Sequence, residues 1–93
     1  MRRAAIFFDE DISNENEVFD LFESNEVNVE KALIRNWDAV EEIVRDALNY
    51  HDFHLVVFDL TKAKIRRDSF EKLANILMNS AIDARRGSVR VEY

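Results

Sequence analysis

The chain has 93 residues, of which 47% are apolar and 34% are charged, and its formal net charge is −6. This length suits a single domain over residues 1–93 with one modest hydrophobic core. The absence of cysteine excludes disulfides and thiolate chemistry, and a single glycine with no proline argues against glycine-rich phosphate loops, which need backbone with positive φ.

The first half of the chain is predicted to contain a strand followed by helices. Ala4–Phe8 is a continuous apolar run, typical of a strand buried on both faces. No apolar stretch approaches the roughly 18 residues of a transmembrane helix, so we expect a soluble, cytoplasmic protein. Apolar residues then recur at helical spacing from Val18 to Phe22 and predict a first helix over 15–25.

Two helical pieces are predicted next, over residues 28–35 and 36–49. Asn36 is a preferred N-cap residue, and Asp38 in the first turn suits the helix dipole. An apolar stripe at i, i+3, i+4 and i+7 marks the buried face of the longer helix. The stripe consists of Trp37, Val40, Ile43, Val44, Ala47 and Leu48.

The second half of the chain begins with Leu55–Phe58, an apolar and β-branched run that predicts a second buried strand. Thr61–Arg67 is a basic connection. A last helix is predicted over residues 68–84. Asp68 is expected to be its N-cap and Glu71, three residues later, its capping-box partner.

The end of the chain is predicted to form an edge strand. Gly87 stands where the left-handed residue after a helix is expected. Val89, Val91 and Tyr93 then alternate with polar residues. Because strands separated by helices pair in parallel through right-handed crossovers, the order of elements predicts an α/β domain. We expect a small three-stranded parallel sheet packed against three to four helices.

Charge is distributed unevenly along the chain. Residues 9–52 hold fourteen acidic and three basic residues, a local charge of −11, whereas residues 53–93 carry +3. Such a field repels nucleic acid and attracts a basic surface. On the longer helix, Asp38, Glu42 and Asp46 are spaced i, i+4, i+8 and share one face. This row is either a binding face or an ordinary solvated surface.

The run Asn36–Glu42, which reads Asn-Trp-Asp-Ala-Val-Glu-Glu, resembles a motif of the barstar family of ribonuclease inhibitors. The order of elements over nearly the whole chain also fits that family. The resemblance implies that this helix and the segment before it insert into the active site of a small, basic bacterial ribonuclease. The chain would then be an intracellular inhibitor or immunity protein of a toxin–antitoxin pair.

The resemblance also implies which residues bind. Carboxylates on the helix would occupy the positions that RNA phosphates fill. Asp38 matches one inserted aspartate of the family, and Glu42 stands where a second aspartate is most often found. Aromatic residues and a glycine are common in the family where this chain has Ala32–Arg35, and an acidic contact residue is common at Asn79. The predicted partner-binding residues are Arg35, Asn36, Asp38, Glu41, Glu42, Asp46 and Asp83.

These departures leave other functions open. The same fold could serve as a non-catalytic regulatory interaction module for another basic protein, or as an acidic mimic of double-stranded DNA. An enzyme is not expected, because no serine has a nucleophile context and exposed helix carboxylates lack the burial that tunes a general acid. We expect a monomer when free, with no cofactor and no direct contact with nucleic acid or membrane.

Other polar and aromatic residues have simpler interpretations. Trp37 lies on the apolar stripe, which favours core packing over a role as a binding hot spot. His51 and His54 lack a third metal ligand in the local sequence, which favours structural roles. The basic segment Lys62–Arg67 has no interleaved aromatic residues and is expected to be a solvated loop.

Overall fold

The computed structural model describes residues 2–92, and within them three strands and three α-helices follow one another as an α/β domain. The strands form one sheet in the order β1-β2-β3. Both pairings are parallel, and this parallel arrangement was predicted. Helices lie in both crossovers. The elements are β1 (Arg2–Phe7), α1 (Glu15–Ser24), α2 (Trp37–Tyr50), β2 (Phe53–Phe58), a 3₁₀ turn (Leu60–Lys62), α3 (Arg67–Asp83) and β3 (Ser88–Glu92).

One face of the sheet carries the core. Leu55 of β2 lies between Ala4 of β1 and Val89 of β3 in the parallel register. The buried core contains residues of all three helices together with Leu55 and Val57, but not Val56. Because successive side chains of a strand point to opposite faces, the helices therefore cover the face that bears Leu55 and Val57.

The opposite face of the sheet is open, which corrects the prediction that the first strand is buried on both sides. Phe7 at the end of β1 is 60% exposed and stacks on Phe58 of β2, with ring centroids 4.7 Å apart. Val56, between the two edge strands, is nevertheless fully buried. The apolar run alone could not show that helices would pack on one side only.

The irregular segment 25–36 replaces the helical piece predicted over 28–35, which was wrong. Asn28 is 2% exposed, and its side-chain oxygen accepts a hydrogen bond from the Ala32 N–H at 2.9 Å. Its side-chain nitrogen donates to the carbonyls of Ala32 and Glu23 at 2.8 and 3.0 Å. A side chain that satisfies nearby backbone groups in this way competes with helix formation.

The starts of α1 and α2 agree with the prediction. The Asn36 side chain accepts a hydrogen bond from the Ala39 N–H at 2.8 Å and is the N-cap of α2. Asn14 caps α1 in the same way, accepting from the Glu17 N–H at 3.1 Å. The five aliphatic residues of the predicted stripe are buried in α2: Val40, Ile43, Val44, Ala47 and Leu48.

The start of α3 differs from the prediction. The helix begins at Arg67, and its N-cap residue, Arg66, makes no side-chain capping bond. The Asp68 carboxylate instead accepts from the adjacent Ser69 N–H at 3.0 Å, inside the first turn. Glu71 accepts from the Arg67 side chain at 3.2 Å, so it is an ion-pair partner and not half of a capping box.

Gly87 does not adopt the left-handed conformation predicted for it, because no glycine of the described chain has a positive φ. Its role is close packing. A Cβ placed on Gly87 would lie 2.0 Å from the Phe53 carbonyl oxygen and 2.9 Å from a Leu48 methyl group. β3 follows as an edge strand, as predicted, and Tyr93 lies outside the described residues. Within residues 2–92, no helix has both the length and the apolarity needed to cross a membrane.

Candidate partner-binding surface

The exposed side of α2 carries four carboxylates, which we call the acidic face of α2: Asp38, Glu41, Glu42 and Asp46. The buried stripe on the other side of the helix fixes this orientation. Asp38, Glu41 and Glu42 are exposed, whereas Asp46 is half-buried. Asp46 lines a small hollow together with Val27 and Glu30 of the irregular segment and His51 at the end of α2. The predicted acidic row therefore exists, and its exposed part is the N-terminal half of the helix.

Most charges on this face lack a basic partner. Of its four carboxylates, Glu41 alone has a basic side chain of residues 2–92 within 4 Å, namely Arg45 at 3.4 Å. This pair is half-exposed at both ends, so it contributes little to stability. Asp38 and Glu42, spaced one turn apart, are free to accept hydrogen bonds from a cationic partner.

The first turn of α2 is attached to α1 through Trp37. The indole Nε1 donates a hydrogen bond to the Glu15 carboxylate at 3.1 Å. The indole ring packs edge-on against Phe19, with centroids 5.0 Å apart. Trp37 is half-buried, in agreement with the prediction of core packing. Together with the Asn36 cap, these contacts fix the position from which Asp38 projects.

Arg35, a predicted contact residue, is bound to α1. Its guanidinium forms ion pairs with Glu23 at 2.5 Å and Asp20 at 3.6 Å, and it donates to the Ile34 carbonyl. The same Glu23 carboxylate accepts from the Ile34 N–H at 3.0 Å. Arg35 is still 54% exposed. It therefore holds the irregular segment against α1 and neutralises part of the acidic surface there.

Asp83, another predicted contact residue, lies at the far end of the α2–α3 pair. The Arg85 and Arg86 N–H groups just after α3 donate to Asn49 and Leu48 at the end of α2, at 3.1 and 3.0 Å. The end of α3 thus meets the end of α2. The structure brings Asp38, Glu41 and Glu42 together and places Asp83 away from them.

A groove between α2 and α3 contains residues that were not predicted as site residues. It has a volume of about 300 Å³, and Lys72 and Asn75 of α3 line it opposite Asp38 and Glu41. Lys72 is exposed and brings a positive charge to the edge of the acidic face. Residues 72, 75 and 79 recur at helical spacing, so periodicity could have shown that they share one side of α3.

The two histidines and the basic segment were the remaining candidate groups. His54 Nδ1 lies 2.5 Å from the Ser88 hydroxyl across the sheet, and the backbone N–H of His51 donates to the Ala47 carbonyl at the end of α2. Within residues 2–92, no three His, Cys, Asp or Glu side chains are grouped to hold a metal. In the basic segment, Lys62 pairs with Asp59 at 3.2 Å.

Comparison of the chain with protein-family models, with curated proteins and with solved structures found no match. The features of the chain that point to a function are the geometry of the acidic face of α2 and the sequence resemblance carried by Asn36–Glu42.

Proposed function

We propose that this chain is a barstar-like, non-catalytic inhibitor or immunity protein that acts in the cytoplasm. It binds a small, basic bacterial ribonuclease and covers its active site with the N-terminal half of α2. The observation that supports this proposal most directly is the placement of Asp38 and Glu42. Both are exposed, lack a basic partner in the described chain, and project from a capped and anchored helix.

The chemistry of such a complex follows from the charges. A ribonuclease cleft presents lysine and arginine side chains to RNA phosphates, and carboxylates at the same spacing can form charge-assisted hydrogen bonds with them. Water is excluded from the centre of the interface, so these pairs contribute strongly once their partners are desolvated. Asp38 and Glu42 are the central contacts in this proposal, and Asn36, Glu41 and Arg35 flank them.

The remaining acidic residues act at longer range. Between Asp9 and Glu30 the chain carries nine acidic residues and no basic one. A field of this sign accelerates the approach of a basic partner even where no direct contact forms. The anchoring of α2 by Trp37 and Asn36 complements the field, because a preorganised face loses less conformational entropy on binding.

The proposal is tested by measuring RNA cleavage and binding with small basic ribonucleases, including any encoded beside this gene. The wild-type chain should inhibit cleavage in proportion to complex formation. The Asp38→Ala/Glu42→Ala variant should bind at least about 2 kcal/mol more weakly per lost contact, mainly through faster dissociation. Unchanged affinity of this variant for an inhibited ribonuclease would contradict the proposed site.

A matched control variant distinguishes the effect of where the carboxylates lie from the effect of the total charge. Glu10→Ala/Asp11→Ala also removes two exposed carboxylates, from the turn after β1. This control should slow association slightly and leave dissociation unchanged, because long-range charge affects the rate of encounter. Equal loss of affinity in both double variants would show that only net charge matters.

A second candidate function is a regulatory interaction module that binds another basic protein. The neutral Asn79 and the sequence Ala32–Arg35 favour it, as does the attachment of Arg35 to Glu23. Failure to inhibit every basic ribonuclease, combined with Asp38-dependent binding of a different basic protein, would select this function. Competition against DNA for a DNA-binding protein would instead indicate a nucleic-acid mimic.

A further inference from the structure

Among residues 2–92, no strand pairs with the outer edge of β3, which leaves this edge available to a further strand. β3 is the last strand of the sheet, and its other edge pairs with β2. The Glu92 carbonyl accepts a hydrogen bond from Asp59, which follows β2, so the backbone groups of Glu92 face inward. The backbone N–H and C=O groups of successive residues in a strand point to opposite edges. Those of Val89 and Val91 therefore face the open edge. Unpaired edges of this kind are templates for strand addition.

An apolar groove accompanies this edge. It has a volume of about 250 Å³ and lies between α3 and β3, where Phe70, Leu77 and Met78 face Val89 and Val91. The apolar surface continues along α3, since Met78 is 61% exposed and Ile82 is 78% exposed. A strand added to β3 would therefore cover apolar side chains as well as satisfy backbone groups.

The side chains of β3 are self-complementary in one antiparallel register. When two copies meet with Val91 opposite Val91, each Arg90 lies directly opposite Glu92 of the other copy. A shift that places Arg90 opposite Arg90 brings two like charges together, which is unfavourable across a strand pair. Arg90 and Glu92 are 55% and 38% exposed and lie on the open face of the sheet. Charge thus selects one register.

We propose that a second copy of this chain docks on β3, forming a two-fold dimer with a continuous six-stranded sheet. The two-fold axis passes through the Val91 pair, perpendicular to the sheet, so the helices of both copies stay on the same side. Each α3 then covers the apolar groove of its neighbour near Met78 and Ile82. The proposed interface consists of β3 and the apolar groove beside α3, and it includes no residue of the acidic face of α2, so that face stays free. The monomer expected from sequence is the alternative that the experiment below distinguishes from this dimer.

The test uses charge reversal and sedimentation equilibrium over micromolar to millimolar concentrations. The wild-type mass should rise from the 11.0 kDa of one chain towards twice that value. Arg90→Glu and Glu92→Arg should each weaken self-association about tenfold, because each places two like-charge pairs across the interface. An equimolar mixture of the two variants should regain wild-type affinity as a heterodimer.

The mixture of Arg90→Glu and Glu92→Arg distinguishes loss of contacts between two copies from loss of an ion pair within one chain. Arg90 and Glu92 also form an ion pair within β3, 2.8 Å apart, and neither variant nor their mixture restores that pair. The matched control is a mixture of Glu41→Arg and Arg45→Glu, which reverses another exposed ion pair, on α2. It should associate no better than either variant alone.

A variant in the groove tests the apolar contact separately. Met78→Glu places a charge in the groove and should weaken self-association at least about tenfold. A wild-type chain that remains monomeric up to millimolar concentration would overturn the proposal. So would a mixture of Arg90→Glu and Glu92→Arg that associates no better than its components.

Discussion

Trp37 is hydrogen-bonded to Glu15 at 3.1 Å, and each of these residues is the first of its helix. The bond therefore joins the N-terminal ends of α2 and α1, which are separated in sequence by the irregular segment 25–36. The edge-on contact of the indole with Phe19 strengthens this junction. A tryptophan at the margin of the candidate site is thus used to position the helix that carries Asp38.

We expect Trp37→Phe to lower the free energy of unfolding by about 1 kcal/mol, because the ring contact remains while the hydrogen bond is lost. Chemical denaturation measures the change. Glu15→Gln, which keeps an acceptor oxygen, is the control and should have a smaller effect. Wild-type stability in Trp37→Phe would show that the bond contributes nothing.

Asn28→Ala should destabilise the fold by about 1–3 kcal/mol, since it removes three hydrogen bonds between a buried side chain and partly buried backbone groups. Thermal or chemical unfolding gives the value. Asn79→Ala removes the same side chain from an exposed position on α3 and should change stability by less than about 0.5 kcal/mol. Similar effects of the two substitutions would contradict the role assigned to Asn28.

Gly87→Ala should cost about 1–3 kcal/mol, because the added Cβ meets a backbone oxygen that cannot move aside. The same substitution should also be made in a Leu48→Val variant, which lacks the methyl group that also approaches this site. Most of the loss in the free energy of unfolding should persist when the double variant is compared with Leu48→Val alone. If Leu48→Val instead restores stability, the steric clash is with the Leu48 side chain and not with the Phe53 carbonyl oxygen.

Lys31→Gly should stabilise the protein by up to about 1 kcal/mol, because Lys31 has a φ of 57° and glycine adopts this conformation without strain. Lys31→Ala is the control, and it should bring no gain since alanine carries the same Cβ. Equal stability of the glycine and alanine variants would show that the left-handed backbone is not strained here.

Association with a basic ribonuclease should depend strongly on salt. Raising the ionic strength from about 0.01 M to 0.15 M shortens the Debye length from about 30 Å to about 8 Å. We expect the association rate to fall at least about tenfold while dissociation changes little. Stopped-flow fluorescence of Trp37 measures both rates. A salt-independent association rate would exclude steering by the acidic segment.

Much of the fold could be predicted from local signals in the sequence. The order of strands and helices along the chain, the parallel pairing, the Asn36 cap and most of the apolar stripe of α2 were predicted, whereas the order of the strands within the sheet was not. Each depends on residues close together in sequence or on a general rule of chain connection. The exposed part of the acidic face follows from the same stripe, because Asp38 and Glu42 lie opposite it.

The remaining features depend on contacts between distant parts of the chain. Asn28 prevents a helix through bonds to Glu23 and Ala32, which periodicity does not reveal. Gly87 is required because Phe53 passes close to it. The attachment of Arg35 to Glu23 likewise joins residues on separate elements. Such contacts appear only once the chain is folded.

The parallel sheet has a consequence for how the protein is made. In the described part of the chain, no strand pairs with its neighbour through a hairpin, so each pairing requires a helix-containing loop to close first. β1 is synthesised before β2, and α1 and α2 lie between them. During translation the apolar β1 therefore remains unpaired while the acidic segment emerges. We expect the like charge of that segment to keep nascent chains apart until Leu55 and its neighbours complete the first strand pair.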